Sequence, residues 1–193
     1  MGVKYKQFKM EKEVKQWVQE YSGYFPKLTD SDTDFLMALY FYTASENVPI
    51  NRHLREDNTL LEVGDMAYYD LKSMLQKLPF YHIPDNVTVY RYINRGLLKQ
   101  MCPNWPPHKG MIISDKGFMS TTLLRHGVDQ YLEGRHSNVL LKISIPEGSR
   151  GTYVGLTDTL HEHEIILVPN TKIRIDSFCL PFQKEYKCTV ISH

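Results

Sequence analysis

Cysteine is scarce in this chain. The three residues Cys102, Cys179 and Cys188 are an odd number and show no C-x-x-C spacing, which argues against a disulfide framework and a zinc knuckle. One Cys179–Cys188 bridge across two late strands stays open, because reduced thiols are also good core residues. An excess of one charge is lacking as well: 23 Lys plus Arg stand against 22 Asp plus Glu, and neither half of the chain concentrates either sign. Without a basic block, nucleic acid and anionic membrane surfaces lose their usual electrostatic argument. No apolar run approaches the roughly 18–20 residues of a membrane span, and the opening MGVKYKQFKMEKEV holds no signal-peptide core. A soluble chain without membrane insertion is expected, any export signal having been removed or lying in a larger parent chain. Also missing are G-x-G-x-x-G after a strand, G-x-x-x-x-G-K-[ST], H-E-x-x-H and G-x-S-x-G. These absences leave a Rossmann dinucleotide site, a P-loop and the common hydrolase signatures unsupported.

What is present is ordinary globular composition, 42% hydrophobic and 23% charged over 193 residues, enough for one sizeable core. Thirteen Tyr and eight Phe favour strands and a ligand cleft. Val14, Trp17, Val18 and Tyr21 at helical spacing predict a helix over 10–21, and Asp30 or Ser31 caps a second that runs to about Ser45. Asn51 to Arg55 reads as one short helical turn, and Leu60 to Leu78 as a longer helix that Pro79 ends. From Val87 onward the pattern changes to β-branched and aromatic runs. Strands are expected over 87–93, 116–122, 139–145, 163–168, 171–178 and 185–191. Residues 100–109 read as an irregular loop and Pro146-Glu147-Gly148 as a turn. No repeat or linker divides the chain, so a single α+β domain over 1–193 is expected, with 1–80 mainly helical and 87–193 mainly strands.

Three islands carry chemistry. On the first, Val89-Tyr90-Arg91-Tyr92, a period of two sets Arg91 on the face of Val87, Val89 and Ile93, where a guanidinium must meet a carboxylate, a phosphate or carbonyls. The second, Gly117-Phe118-Met119-Ser120-Thr121-Thr122, ends in three hydroxyls that can orient a neighbouring carboxylate. In the third, His161-Glu162-His163-Glu164-Ile165-Ile166-Leu167-Val168, strand geometry sets two carboxylates on one side about 6.5–7 Å apart. Glu164 shares its face with Ile166 and Val168, so desolvation should raise its pKa unless donors hold it ionised, and Ser120 and Arg91 are the donors nominated. His161 and His163 lack further metal-spaced partners, so no metal is expected.

Taken in order, Tyr90-Arg91, Phe118-x-Ser120-Thr121-Thr122 and Glu162-x-Glu164 resemble the Arg, S-T-S and E-x-E motifs of the cholera-toxin-like mono-ADP-ribosyltransferases. Their spacing is similar to that of the bacterial exoenzyme branch, which includes actin-modifying binary-toxin chains and Rho-modifying exoenzymes. Tyr42-Thr43-x-Ser45 with Ile50-Asn51-x-x-Leu54-Arg55, Ile145-Pro146-x-Gly148-x-x-Gly151-x-Tyr153 and Pro169-Asn170-Thr171-Lys172-Ile173 extend the likeness over roughly residues 35–180. Thr122 departs from the usual third Ser but keeps a hydroxyl.

The resemblance implies two roughly perpendicular β-sheets flanked by N-terminal helices, with NAD as substrate in the cleft between them and no metal. It implies that Arg91 and Arg55 contact the NAD diphosphate, that Asn51 and Thr121 also belong to the NAD site, and that Tyr131 and Arg135 line it from the following loop. Ser120 would orient Glu164, whose charge would stabilise the oxocarbenium-like ribose as nicotinamide leaves. Glu162 would bind and deprotonate the acceptor. An arginine is not nucleophilic until it sheds a proton, and family members that modify Asn carry Gln here, so an arginine acceptor is expected. Actin is the leading target and a small GTPase the second. NAD glycohydrolysis and a non-catalytic binding module are the competing readings. The chain is expected to act as a monomer, secreted or delivered into target-cell cytoplasm, with a cognate immunity protein if the target is a competitor.

Overall fold

The computed structural model describes residues 3–26, 33–56, 61, 65–126, 138–154, 163–179 and 185–191. Helix α1 spans Glu11–Glu20 and buries Val14 and Trp17. The Glu13 carboxylate accepts from the amides of Lys9 and Met10 and closes its first turn. Trp17 then packs against Phe8, Tyr21, Phe25 and Tyr153, joining the helix to the sheet.

Helix α2 (Thr33–Phe41) runs through a π-helical turn, Tyr42–Glu46, straight into α3 (Asn47–Arg55). The separate short turn expected at 51–55 is thus the end of a continuous rod. Pro49 has no amide to donate back to the Ser45 carbonyl, and the helix widens in the residues just before it. Helix α4 (Met66–Lys77) begins six residues later than expected and passes into a 3-10 turn at Leu78–Phe80, which contains Pro79. No helix among the described residues is long and apolar enough to cross a membrane.

The strands are β1 (Val87–Asn94), β2 (Ile112–Ser114), β3 (Met119–Thr122), β4 (Asn138–Ile145), β5 (Gly151–Tyr153), β6 (Glu164–Leu167), β7 (Lys172–Cys179) and β8 (Glu185–Val190). Two of them, β2 and β5, were not expected, nor was helix α5 (Arg95–Met101), which the Asn94 side chain caps by accepting from the Leu97 amide. The order is β2-β7-β8-β4-β1-β3-β6-β5, one hydrogen-bonded sheet of eight strands. The two sheets implied by the family are two arms of this ladder. They meet at β1 and β3, which share the single register pair Tyr90↔Thr122.

Beyond that pair, at the Val87 end of β1, the N-terminal segment takes the place of a strand: Lys6 bridges Val87 and Phe8 bridges Leu124. One core lies between α1 and the β4–β1 side of the sheet. The second unites α2, α3 and α4 with Phe118 and Ile166, so these helices cover the β3–β6 arm. Cys188 is a free, buried thiol opposite Ile175, and the Cys179 side chain lies outside the described residues.

Candidate active site

Arg91 is buried on β1, as the apolar period of that strand predicts, and its partner is a carboxylate. Its Nη2 donates to Asp115 Oδ2 at 2.8 Å. Arg55, at the end of α3, donates to the same carboxylate twice, Nε to Oδ1 and Nη2 to Oδ2, both at 2.8 Å. The Gly117 amide adds a fourth bond, to Oδ1 at 2.9 Å. Asp115 stands in the turn between β2 and β3 and is 1% exposed. Burial alone would raise its carboxyl. The Arg55 hydrogen bonds, the charges of Arg91 and Arg55 and the Gly117 amide outweigh burial and hold it below the usual carboxylate value. Sequence reasoning missed Asp115. The signal was a buried Arg in need of a counter-charge, with an Asp-x-Gly turn just ahead of the hydroxyl strand.

Asn51 lies one helical turn before Arg55 on the same face of α3. Its Nδ2 donates to the Tyr42 hydroxyl at 2.8 Å, and its Oδ1 accepts from the Phe118 amide at 2.8 Å. The rod α2–π–α3 is thereby fastened to the start of β3. Gly117 makes the close approach possible, since a β-carbon there would lie 2.6 Å from Asn51 Oδ1 and 3.3 Å from Arg55 Nε. Tyr42, fully buried, meets Phe118 edge-on. Burial and then the charge of Glu164 push its phenol far up, while the Asn51 bond and the charges of Arg91 and Arg55 pull it back. Glu164, Arg91 and Arg55 are therefore gathered within electrostatic reach of one phenol.

Across the β3–β6 pairing, the Ser120 hydroxyl donates to Glu164 Oε1. Arg91, the other donor nominated for Glu164, is turned to Asp115 instead. Thr121 points to the opposite face, where its hydroxyl donates to the Ile165 carbonyl at 2.8 Å and ties β3 to β6. The Thr122 hydroxyl caps the turn that follows, accepting from the Leu124 amide at 3.2 Å. The third island departs from strand geometry at His163, which has φ of 47° and precedes the first residue of β6. A left-handed residue interrupts the extended backbone just before Glu164, and the expected placement of Glu162 beside Glu164 falls outside the described residues. His163 is itself buried and shares a hydrogen bond with the Tyr153 hydroxyl at 2.9 Å through Nδ1. Glu162, Tyr131 and Arg135 lie outside the described residues. Arg125, near the latter two in sequence, pairs with Glu185 at 3.2 Å.

Among the described residues no cluster of three or more His, Cys, Asp or Glu could hold a metal ion. The arrangement suits an anionic substrate better. Arg91 Nη1 is buried and has no hydrogen-bond partner among the described residues, a donor placed for an oxyanion. A model of the family described as ADP-ribosyltransferase exoenzyme matches residues 10–192. The chain belongs to that family.

Membership brings the class of reaction, transfer of ADP-ribose from NAD. No curated protein matches the chain. Solved structures of ADP-ribosyltransferase toxins share its fold at low identity. C3stau2 from S. aureus, solved with NAD, is 19% identical with a TM-score of 0.75, covering 99% of this chain and 100% of that one. Plx2a from Paenibacillus larvae is 22% identical with a TM-score of 0.73, covering 96% and 99%. BECa of a C. perfringens binary enterotoxin, solved with NADH, is 19% identical with a TM-score of 0.74. It covers 98% of this chain, which spans only 50% of BECa. In this ADP-ribosyltransferase exoenzyme Asp115 binds Arg55 and Arg91 together, and the Ser120 hydroxyl donates to Glu164 across the β3–β6 pairing.

Proposed function

We propose that this exoenzyme transfers ADP-ribose from NAD to an arginine side chain of a target protein and releases nicotinamide. The observation that carries the reading is the Ser120–Glu164 hydrogen bond between β3 and β6, in a chain that also builds the Arg55–Asp115–Arg91 cluster. Arg91 and Arg55 hold the diphosphate of NAD through charge-assisted hydrogen bonds. Asn51 keeps α3, and with it Arg55, against the Gly117-Phe118 backbone. Ser120 fixes the Glu164 rotamer, so that the carboxylate is already aimed where positive charge grows on the ribose as nicotinamide departs. Because the leaving group is cationic before departure and neutral after it, the step needs no Lewis acid. Thr121, expected in the NAD site, is directed instead to the opposite face, where it ties β3 to β6; Tyr131 and Arg135, outside the described residues, are proposed as further NAD contacts.

Glu162 takes the acceptor's proton. Its carboxylate is the feature that supports arginine, the side chain that must be deprotonated before it can attack. Actin is the favoured acceptor protein. A small GTPase is the second reading, supported by the likeness in fold to C3-type exoenzymes. The protein acts as a secreted or delivered monomer, with an immunity protein in the producer where the target is a competitor.

The Glu162→Gln variant tests the acceptor assignment. It is expected to lose transfer to arginine while keeping part of the nicotinamide release. Equal loss of both activities would mean that Glu162 serves NAD or the fold instead.

A further inference from the structure

The Arg55 and Arg91 guanidiniums come from different elements, α3 and β1, 36 positions apart in sequence, and carry like charges that drive them apart. Among the described residues their shared partner is Asp115. Its Oδ2 accepts from the Nη2 of each arginine at 2.8 Å, and its Oδ1 accepts from Arg55 Nε at 2.8 Å and the Gly117 amide at 2.9 Å. The main chain is fixed too, since the Asp115 carbonyl accepts from the Asn170 amide at 2.8 Å, on the turn between β6 and β7. Independently of the two arginines, the carboxylate is held by the Gly117 amide and its main chain by Asn170, so it offers both guanidiniums a fixed acceptor.

It grips Arg55 along the Nε–Nη2 edge and Arg91 at Nη2 alone, and the Arg91 Nη1 left over is buried without a partner among the described residues. Two cations and one anion leave a net positive cradle with a donor pre-aimed. Two roles are conceivable for such a carboxylate, and they differ in sign. A mere neutraliser weakens anion binding, so removing its charge would tighten the grip on a diphosphate. A positioning group strengthens it, because guanidiniums freed from it repel one another and lose their fixed geometry.

We propose that Asp115 is the positioning residue of the diphosphate site, acting through Arg55 and Arg91 to set NAD affinity and leaving bond cleavage at Ser120–Glu164 untouched. This deepens the reading of the site as an NAD site and rests on it. An Asn at this position would turn an amide donor toward at least one of the guanidiniums that now face an acceptor.

The test is steady-state nicotinamide release by wild type and Asp115→Asn, with ADP and nicotinamide as competing inhibitors. For the variant, the KM for NAD and the inhibition constant of ADP, which shares the diphosphate, should rise at least about tenfold, while kcat and the inhibition constant of nicotinamide stay within about threefold. A merely structural role would move all four together, and that outcome overturns the proposal. So does a KM that stays constant or falls. Should the Asn variant not fold, Asp115→Glu decides, because it keeps the charge and moves the carboxylate by one methylene: KM must rise with kcat retained, and an unchanged KM overturns the proposal. Wild-type protein that releases no nicotinamide and binds no NAD overturns the NAD reading itself, and the proposal with it.

Discussion

Replacing Gly117 by Ala adds one methyl at the junction of α3 and β3, and the consequence can be worked from contacts. The new carbon would sit 2.6 Å from Asn51 Oδ1 and 3.1 Å from its Cγ, where ordinary contact begins at 3.4 Å, so the overlap with the oxygen is 0.8 Å. Asn51 cannot swing aside freely. It is 7% exposed, its Nδ2 is bonded to Tyr42, and its Oδ1 holds the Phe118 amide. Relief by moving Asn51 leaves buried groups short of partners at about 1–3 kcal/mol each, and relief by moving backbone is overpacking of about 1–3 kcal/mol. Gly117 does not lie in the left-handed region, so the variant isolates the contact from backbone strain. A loss of about 2–4 kcal/mol is expected, which for a chain of this size lowers Tm by roughly 5–15 °C. Gly23→Ala, where the added methyl meets nothing within 4 Å, is the control and should stay within about 0.5 kcal/mol of wild type. Thermal denaturation followed by circular dichroism reads both. A Gly117→Ala protein melting together with the Gly23→Ala control would refute the fastening of α3 to β3 through Asn51.

Ser120→Ala removes a hydrogen bond to a charged carboxylate, worth about 1.5–3 kcal/mol, and kcat for nicotinamide release should fall about 10- to 100-fold with the KM for NAD little changed; a raised KM at constant kcat would contradict the rotamer-fixing role. Stability should also respond to pH through Glu46 in the π-turn, whose carboxyl burial, the hydrogen bond to Asp70 on α4 and the Asp70 charge push up to about 7. The folded state then binds this proton more tightly than the unfolded state, so the contribution is fully present below about pH 4.5 and is lost as pH rises through about 7. Glu46→Gln should flatten that part of the Tm–pH profile, and an unchanged profile would exclude the pair as its source. Asp115 acts in the opposite sense: its depressed carboxyl lends stability that disappears only as pH falls below the ordinary Asp value near 3.8. A single acid-side loss is therefore expected to be shallower in Asp115→Asn than in wild type in the same melting series.

The legible parts of this molecule are those where a short-range rule decides. The apolar run Val87–Ile93 made β1 readable and put Arg91 on a buried face, and Ser120 of the hydroxyl run donates to Glu164 as nominated. The illegible parts depend on partners distant in sequence. Asp115 is one turn residue among 22 acidic ones until Arg55 and Arg91 are both brought to it. Strands β2 and β5 have three residues each, too few for a period of two to register, and exist because β7 and β6 offer them an edge. The α2–π–α3 rod reads as two pieces because Pro49 ordinarily ends a helix, whereas here the π turn absorbs the missing amide. His163 sits in a run of strand formers, and only its φ of 47° shows that the chain turns there before β6. The N-terminal segment at Lys6 and Phe8 joins the sheet by filling the gap between β1 and the chain after β3, a vacancy no local pattern announces.

The most direct test of the account is transfer of labelled ADP-ribose from NAD onto proteins of a cell lysate, wild type beside Glu164→Gln, with labelled bands challenged by hydroxylamine, which releases arginine linkages. Glu164 supplies the charge that meets the growing positive charge on the ribose, so its loss should cost about 10²–10³-fold in rate. The account predicts a hydroxylamine-sensitive band with wild type alone. Labelling by Glu164→Gln at more than about a tenth of the wild-type rate would contradict it.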